Sequence, residues 1–153
     1  MAKTPKPGDI FQLKTPKGFA YIQYTHRDDE YGQLIRVLPG LFDVELSSFD
    51  KLSQKQALYF VFFPLSAAVS RGILTRMTNE PIPESAQSLP IMKRPGTRDS
   101  DGKVLSWWIK DGKSEKKVEK LNDKQRRYSL AVIWNDTLLV DRICSGWLPE
   151  NES

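Results

Sequence analysis

The chain has 153 residues, 39% of them hydrophobic and 27% charged, with a formal net charge of +4 and one cysteine. That length suits a single domain with one core, and the apolar share excludes an intrinsically disordered chain. A lone cysteine excludes an internal disulfide, and the longest apolar run, Ala57 to Leu65, is far shorter than the roughly 20 residues of a membrane helix, so a soluble cytoplasmic protein without a membrane partner is expected.

From the N-terminus, Pro7-Gly8-Asp9 blocks any helix. Two runs rich in Phe, Ile, Leu and Tyr then flank Thr15-Pro16-Lys17-Gly18. Pro16 presets φ at the second turn position and Gly18 suits the fourth, which predicts a β-hairpin over residues 10–24. The charged stretch from His26 to Gly32 reads as a loop, Gln33 to Leu38 as a third strand, and Pro39-Gly40 as a turn. In Leu41 to Leu46, Phe42, Val44 and Leu46 alternate with Asp43 and Glu45, the period of a half-buried strand. The aromatic run Ala57 to Phe63 predicts a central strand buried on both faces. Leu65 to Arg71 allows two helical turns ended by Gly72, and Ile73 to Thr78 is extended.

Residues 79–101 hold Pro81, Pro83, Pro90 and Pro95, a stiff connector with one short edge strand at Leu89 to Lys93. Asp101-Gly102 and Asp111-Gly112 bracket a strand carrying Trp107 and Trp108. Ser129 to Trp134 reads as a buried strand. Asn135 or Asp136 can cap a helix from about Thr137 to Ser145, in which Leu139 and Ile143 face the sheet. Together these elements imply one α+β domain, mainly antiparallel, built on a strongly bent sheet or a partly open SH3-like barrel with two short helices.

Chemistry-bearing patterns are sparse. His26 is the only histidine, and Cys144, late in the last helix, reads as a small buried hydrophobe. With no HExxH, CxxC, EF-hand, GxGxxG or P-loop pattern, neither metal nor cofactor is expected, and no enzymatic activity. Asp28, Asp29 and Glu30 read as a solvated acidic loop. Adjacent residues on a strand face opposite sides, so one of Trp107 and Trp108 belongs to the core and the other lies near the surface, an anchor for a partner alongside Tyr31. The basic excess is local: residues 93–127 carry +6, against +1 before and −3 after. Acidic residues interrupt that segment, which favours an ion-paired face over a phosphate track.

The order Pro7-Gly8-Asp9-Ile10-Phe11, turn, Gly18-Phe19-Ala20-Tyr21 resembles the opening of the immunity protein 26 family of bacterial polymorphic-toxin systems. Phe60-Val61-Phe62-Phe63, Ala67 to Gly72, Asn79-Glu80-Pro81 and Trp108 to Gly112 are similar to that family's middle, and Ile133-Trp134-Asn135-Asp136 to its end. The resemblance implies a cytoplasmic protein that binds and neutralises a cognate toxin, and it implies no catalytic residue. For a basic partner, charge complementarity makes Asp28, Asp29, Glu30, Asp43 and Glu45 the expected contacts. The same hairpin also looks like the start of the plasmid-maintenance toxins, ribonucleases on an SH3-like barrel, a similarity that stops near residue 25. In that alternative RNA would be held by Lys116, Lys117, Arg126 and Arg127.

Overall fold

A computed structural model describes residues 4–152. The first sheet is built around the hairpin. Strands β1 (Asp9–Thr15) and β2 (Gly18–Asp28) pair antiparallel around Pro16-Lys17, and Gly18 closes the turn at φ +123°. β3 (Gly32–Val37) lies beside β2, followed by β4 (Tyr59–Phe62), while β5 (Leu74–Asn79) flanks β1, giving the order β4-β3-β2-β1-β5. Helix α1 (Leu65–Ser70) connects β4 to β5 and ends at Gly72, φ +75°.

A second sheet has the order β8-β7-β6-β9, from β6 (Met92–Pro95), β7 (Trp107–Asp111), β8 (Ser114–Val118) and β9 (Ser129–Leu130). All pairs are antiparallel except β6 with β9. Short helices α2 (Asp123–Arg126) and α3 (Asp136–Ser145) follow β8 and β9. Each is capped by an asparagine whose side-chain oxygen accepts the N–H three residues on, Asn122 from Gln125 and Asn135 from Leu138, which satisfies a donor the helix leaves free.

The segment 129–134 stitches the two sheets together. Ser129 and Leu130 pair with β6, and Ile133 forms a parallel bridge to Phe62, with the Trp134 N–H donating to the Phe62 carbonyl at 3.0 Å. Strand β4 is therefore terminal in the first sheet, but its outer edge is covered. The result is an α+β fold of two mainly antiparallel sheets, with no closed barrel among the described residues.

Burial follows the period of two. Phe11, Leu13, Ala20, Ile22, Tyr24, Ile35, Val37, Tyr59 and Val61 form one face and pack on Trp107, Leu130, Trp134 and Leu139. From the opposite face, Ile10, Tyr21 and Leu38 are covered by Phe49 and Leu52 at one end, while Leu34 and Phe62 meet Met92 and Ala131 at the other.

Several expectations need correction. The run Ala57 to Phe63 is not a central strand buried on both faces: only Tyr59–Phe62 is strand, it ends its sheet, and Leu58 is exposed. The supposed loop at 26–32 is mostly strand, because β2 runs on to Asp28 and turns only at residues 29–31. Leu41 to Leu46 forms no strand. Only Phe42 bridges, to Phe19, and Val44 is 71% exposed, because β2's neighbouring position is already taken by β3 beyond Tyr21. β6 begins three residues later than the edge strand expected from Leu89 and lies inside its sheet, between β7 and β9. Of Ser129 to Trp134, only the first two residues are strand and Ile133 is exposed. The α2 helix went unrecognised, since its four residues hold no apolar periodicity.

Candidate functional site

The bend between the sheets leaves a cleft of about 890 Å3 between the β2–β3 turn and the outward face of the second sheet. On one side stand Arg27, Asp28, Asp29, Glu30 and Tyr31; on the other, Arg94, Lys110, Lys113 and Glu115, with Leu89 between them. Strand register explains the second wall. Arg94 pairs with Trp108, Trp108 with Lys117, and Lys110 with Glu115, and directly paired residues share a face.

Asp28 organises the first wall. Its Oδ2 accepts the N–H groups of Glu30 and Tyr31, both at 2.9 Å, and its Oδ1 lies 3.3 Å from the Lys110 ammonium. Burial pushes the Asp28 carboxyl up, but the Tyr31 and Glu30 amides and the Lys110 ammonium outweigh it, leaving the group below the ordinary carboxylate value. Lys110 also donates to the Gly112 carbonyl and sits 5.6 Å from the centre of the Tyr31 ring. That ring packs edge-on against Phe62 at 4.9 Å. Thus a surface tyrosine is fixed from below by an apolar contact and from the side by a cation that is itself paired.

The second wall repeats this logic. Arg94 reaches Glu115 through two nitrogens, at 2.8 and 3.4 Å, and its guanidinium lies 5.5 Å from the Trp108 ring centre. The hydrogen bond to Glu115 holds the Arg94 guanidinium above its usual value, and the same bond holds Glu115 below its own. Four basic and four acidic side chains line the cleft, and two pairs cancel internally, so it is not an acidic face.

Trp108, half-buried, is therefore the outward tryptophan. Trp107 is buried against the main core beneath the Lys93 ammonium, which removes it from the expected partner contacts. Asp43 and Glu45 do not join the other acids. They follow Phe42, which pairs with Phe19, and Phe19 is nine residues along β2 from Asp28, roughly 30 Å of strand. Glu45 is occupied by Gln12, whose Nε2 donates to it at 2.9 Å. Lys116 and Lys117 project to opposite faces of β8, Arg126 pairs with Asp123, and Arg127 is exposed on the helix end.

His26 and Cys144 are not brought together with a nucleophile's geometry. His26 Nε2 meets the Gln87 carbonyl at 2.8 Å, tying β2 to the proline-rich connector, while Cys144 is half-exposed rather than buried on α3, where its carbonyl accepts Lys17 Nζ. Among the described residues no group of three or more His, Cys, Asp or Glu could hold a metal ion. No described helix is long and apolar enough to cross a membrane. Sequence reasoning missed Arg27, Arg94, Lys110 and Glu115. The period of two on either side of Asp111-Gly112 would have put Trp108, Lys110 and Glu115 on one face, but the density of charge hid it.

Comparison with models of known protein families, with curated proteins and with solved structures finds no match.

Proposed function

We propose that this chain is a binding protein that acts by direct contact with another protein through the cleft, and that this partner is a cognate toxin which it neutralises in the cytoplasm of the producing cell. The observation that carries the binding reading is Tyr31, which lines the cleft, together with the half-buried Trp108 on the same sheet face as the cleft residues Arg94 and Lys110, each ring held by a cation that is anchored to a carboxylate. Aromatic side chains fixed before binding lose little entropy on contact, as interface anchors require. The resemblance of the Pro7-Gly8-Asp9 hairpin, Phe60 to Phe63, and Ile133 to Asp136 to immunity protein 26 supports the toxin as the partner's class.

The RNA-binding alternative rests on Lys116, Lys117, Arg126 and Arg127. Their distribution over both faces of β8 and onto α2 favours protein contact instead, because a phosphate track needs its cations on one face.

The test is protection. The variable C-terminal domain of a neighbouring large exported protein, expressed in a heterologous host, should arrest growth, and co-expression of this chain should restore it. Trp108→Ala with Arg94→Ala should abolish rescue while the purified variant keeps its circular dichroism spectrum. Arrest that this chain does not relieve, or RNA cleavage by the chain itself, would overturn the proposal.

A further inference from the structure

We infer that the free edge of β8 is a docking strand, on which an extended acidic segment of the partner adds itself to the second sheet. This deepens the protein-binding reading by naming the partner's chemistry at one place.

Three observations carry it. First, β8 ends the sheet, and Ser114 to Lys117 are all exposed, so one row of backbone groups is open. The hairpin fixes which. Asp111 and Ser114 flank a two-residue loop in which Gly112 has φ +60°. They form its hydrogen-bonded closing pair, so Ile109–Lys116 is the next such pair and the amides and carbonyls of Glu115 and Lys117 point away from the sheet. Second, the three other edges are less suited. That of β4 is closed by Val132 to Trp134, β9 lies against β4 with Ser129 Oγ accepting the Phe60 N–H, and on β5 the nearest cation, Arg76, is already paired with Asp9 at 3.2 Å.

Third, the edge is basic without being self-complementary. Residues 113–127 hold seven Lys or Arg against three Asp or Glu. On β8 itself Lys117 projects toward the Trp108 face and Lys116 toward the other, so an acidic side chain on either face of an added strand meets a lysine. A second copy of β8 laid antiparallel about Lys116 would set that lysine against itself, and Glu115, which would face Lys117, is already held by Arg94, so self-pairing is disfavoured. The edge is also continuous with the cleft, since Lys113 and Glu115 belong to both. An added strand would run along the rim of the cleft beside Glu115.

The probe is an eight-residue peptide alternating threonine and glutamate, with a threonine–lysine peptide as control, at low salt and millimolar concentration. The acidic peptide should slow hydrogen exchange at the amides of Glu115 and Lys117, with Lys116 already protected by β7. Lys116→Glu with Lys117→Glu should weaken it about tenfold and transfer binding to the lysine peptide. Equal protection by both peptides, protection by neither, or protection that follows self-association of the chain would overturn the inference. Because the peptides do not involve the toxin, rescue without peptide docking removes this inference alone, and docking without rescue removes only the toxin.

Discussion

Lys93 has no exposed surface, yet among the described residues no carboxylate lies within ion-pair distance of its ammonium. It donates to the carbonyls of Arg126 at 2.7 Å and Pro149 at 2.8 Å, and rests 5.1 Å from the Trp107 ring centre. One side chain therefore ties β6 to the end of α2 and to the turn after α3. Burial lowers its pKa to about 8, from 10.5. The unfolded chain then holds the proton over a range where the folded chain has released it, so this group makes stability rise with pH between about 8 and 10.5. The stability of the wild type relative to Lys93→Met should increase across that range by about 3 kcal/mol. Urea unfolding of both proteins at several pH values measures it, and taking the difference removes Tyr59, whose buried hydroxyl titrates with the opposite sign. Parallel curves would refute the assignment. Nothing in Met92-Lys93-Arg94 marks the middle residue as internal, because a lysine among prolines and cations reads as surface. Only the pairing of β6 between β7 and β9 puts it inside.

At the scale of elements, the first hairpin was legible because turn chemistry is local. Pro16 and Gly18 fix the connection without reference to anything distant. Gly18 also has a distant role, since a Cβ there would meet the Phe42 carbonyl oxygen at 2.6 Å. The same carbonyl accepts the Phe19 N–H at 2.8 Å, in the Phe19–Phe42 bridge that anchors residues 40–46. Gly18→Ala should cost about 2 kcal/mol or more, combining strain with a clash. Gly72→Ala, at φ +75° with open space around it, should cost about 1 kcal/mol. Thermal denaturation of the two variants separates the effects, and equal losses would mean that the clash relaxes freely. Leu41 to Leu46 was misread because alternation reports a strand only when a neighbour is available. Here the anchors are Phe42 and Leu46, and Tyr21's hydroxyl accepts the Leu46 N–H at 2.9 Å. Arg36 does similar work further on. Buried, and with no carboxylate partner among the described residues, it donates to Gln23 and to the carbonyls of Ser53 and Lys55, pinning a segment whose sequence carries no strand or helix signal. For the candidate site, the acidic turn and one outward tryptophan were readable. The pairing of that turn with Lys110, from 82 residues away, was not.

At the scale of the molecule, Phe62 is the junction. Fully buried, it meets Leu34, Met92 and Ala131, supports Tyr31 in the cleft, and bridges to Ile133 through its backbone. Phe62→Ala should destabilise the protein by about 3–5 kcal/mol, and Phe62→Leu by much less. If the sheets form one cooperative unit, near-ultraviolet dichroism and tryptophan fluorescence should lose signal at the same lowered midpoint. Separate transitions would show that the second sheet unfolds alone.

The bridge from Phe62 to Ile133 also joins positions 71 residues apart in the chain. On a ribosome, β1 to β5 can assemble as soon as Asn79 has emerged, since all their pairings lie within that span. The outer edge of β4, with an apolar Phe60 and Phe62 beside it, stays bare until Trp134 follows. For the interval in which that C-terminal third is translated, the nascent chain carries an open aromatic strand, the kind of edge that chaperones shield and that pairs wrongly when nothing does.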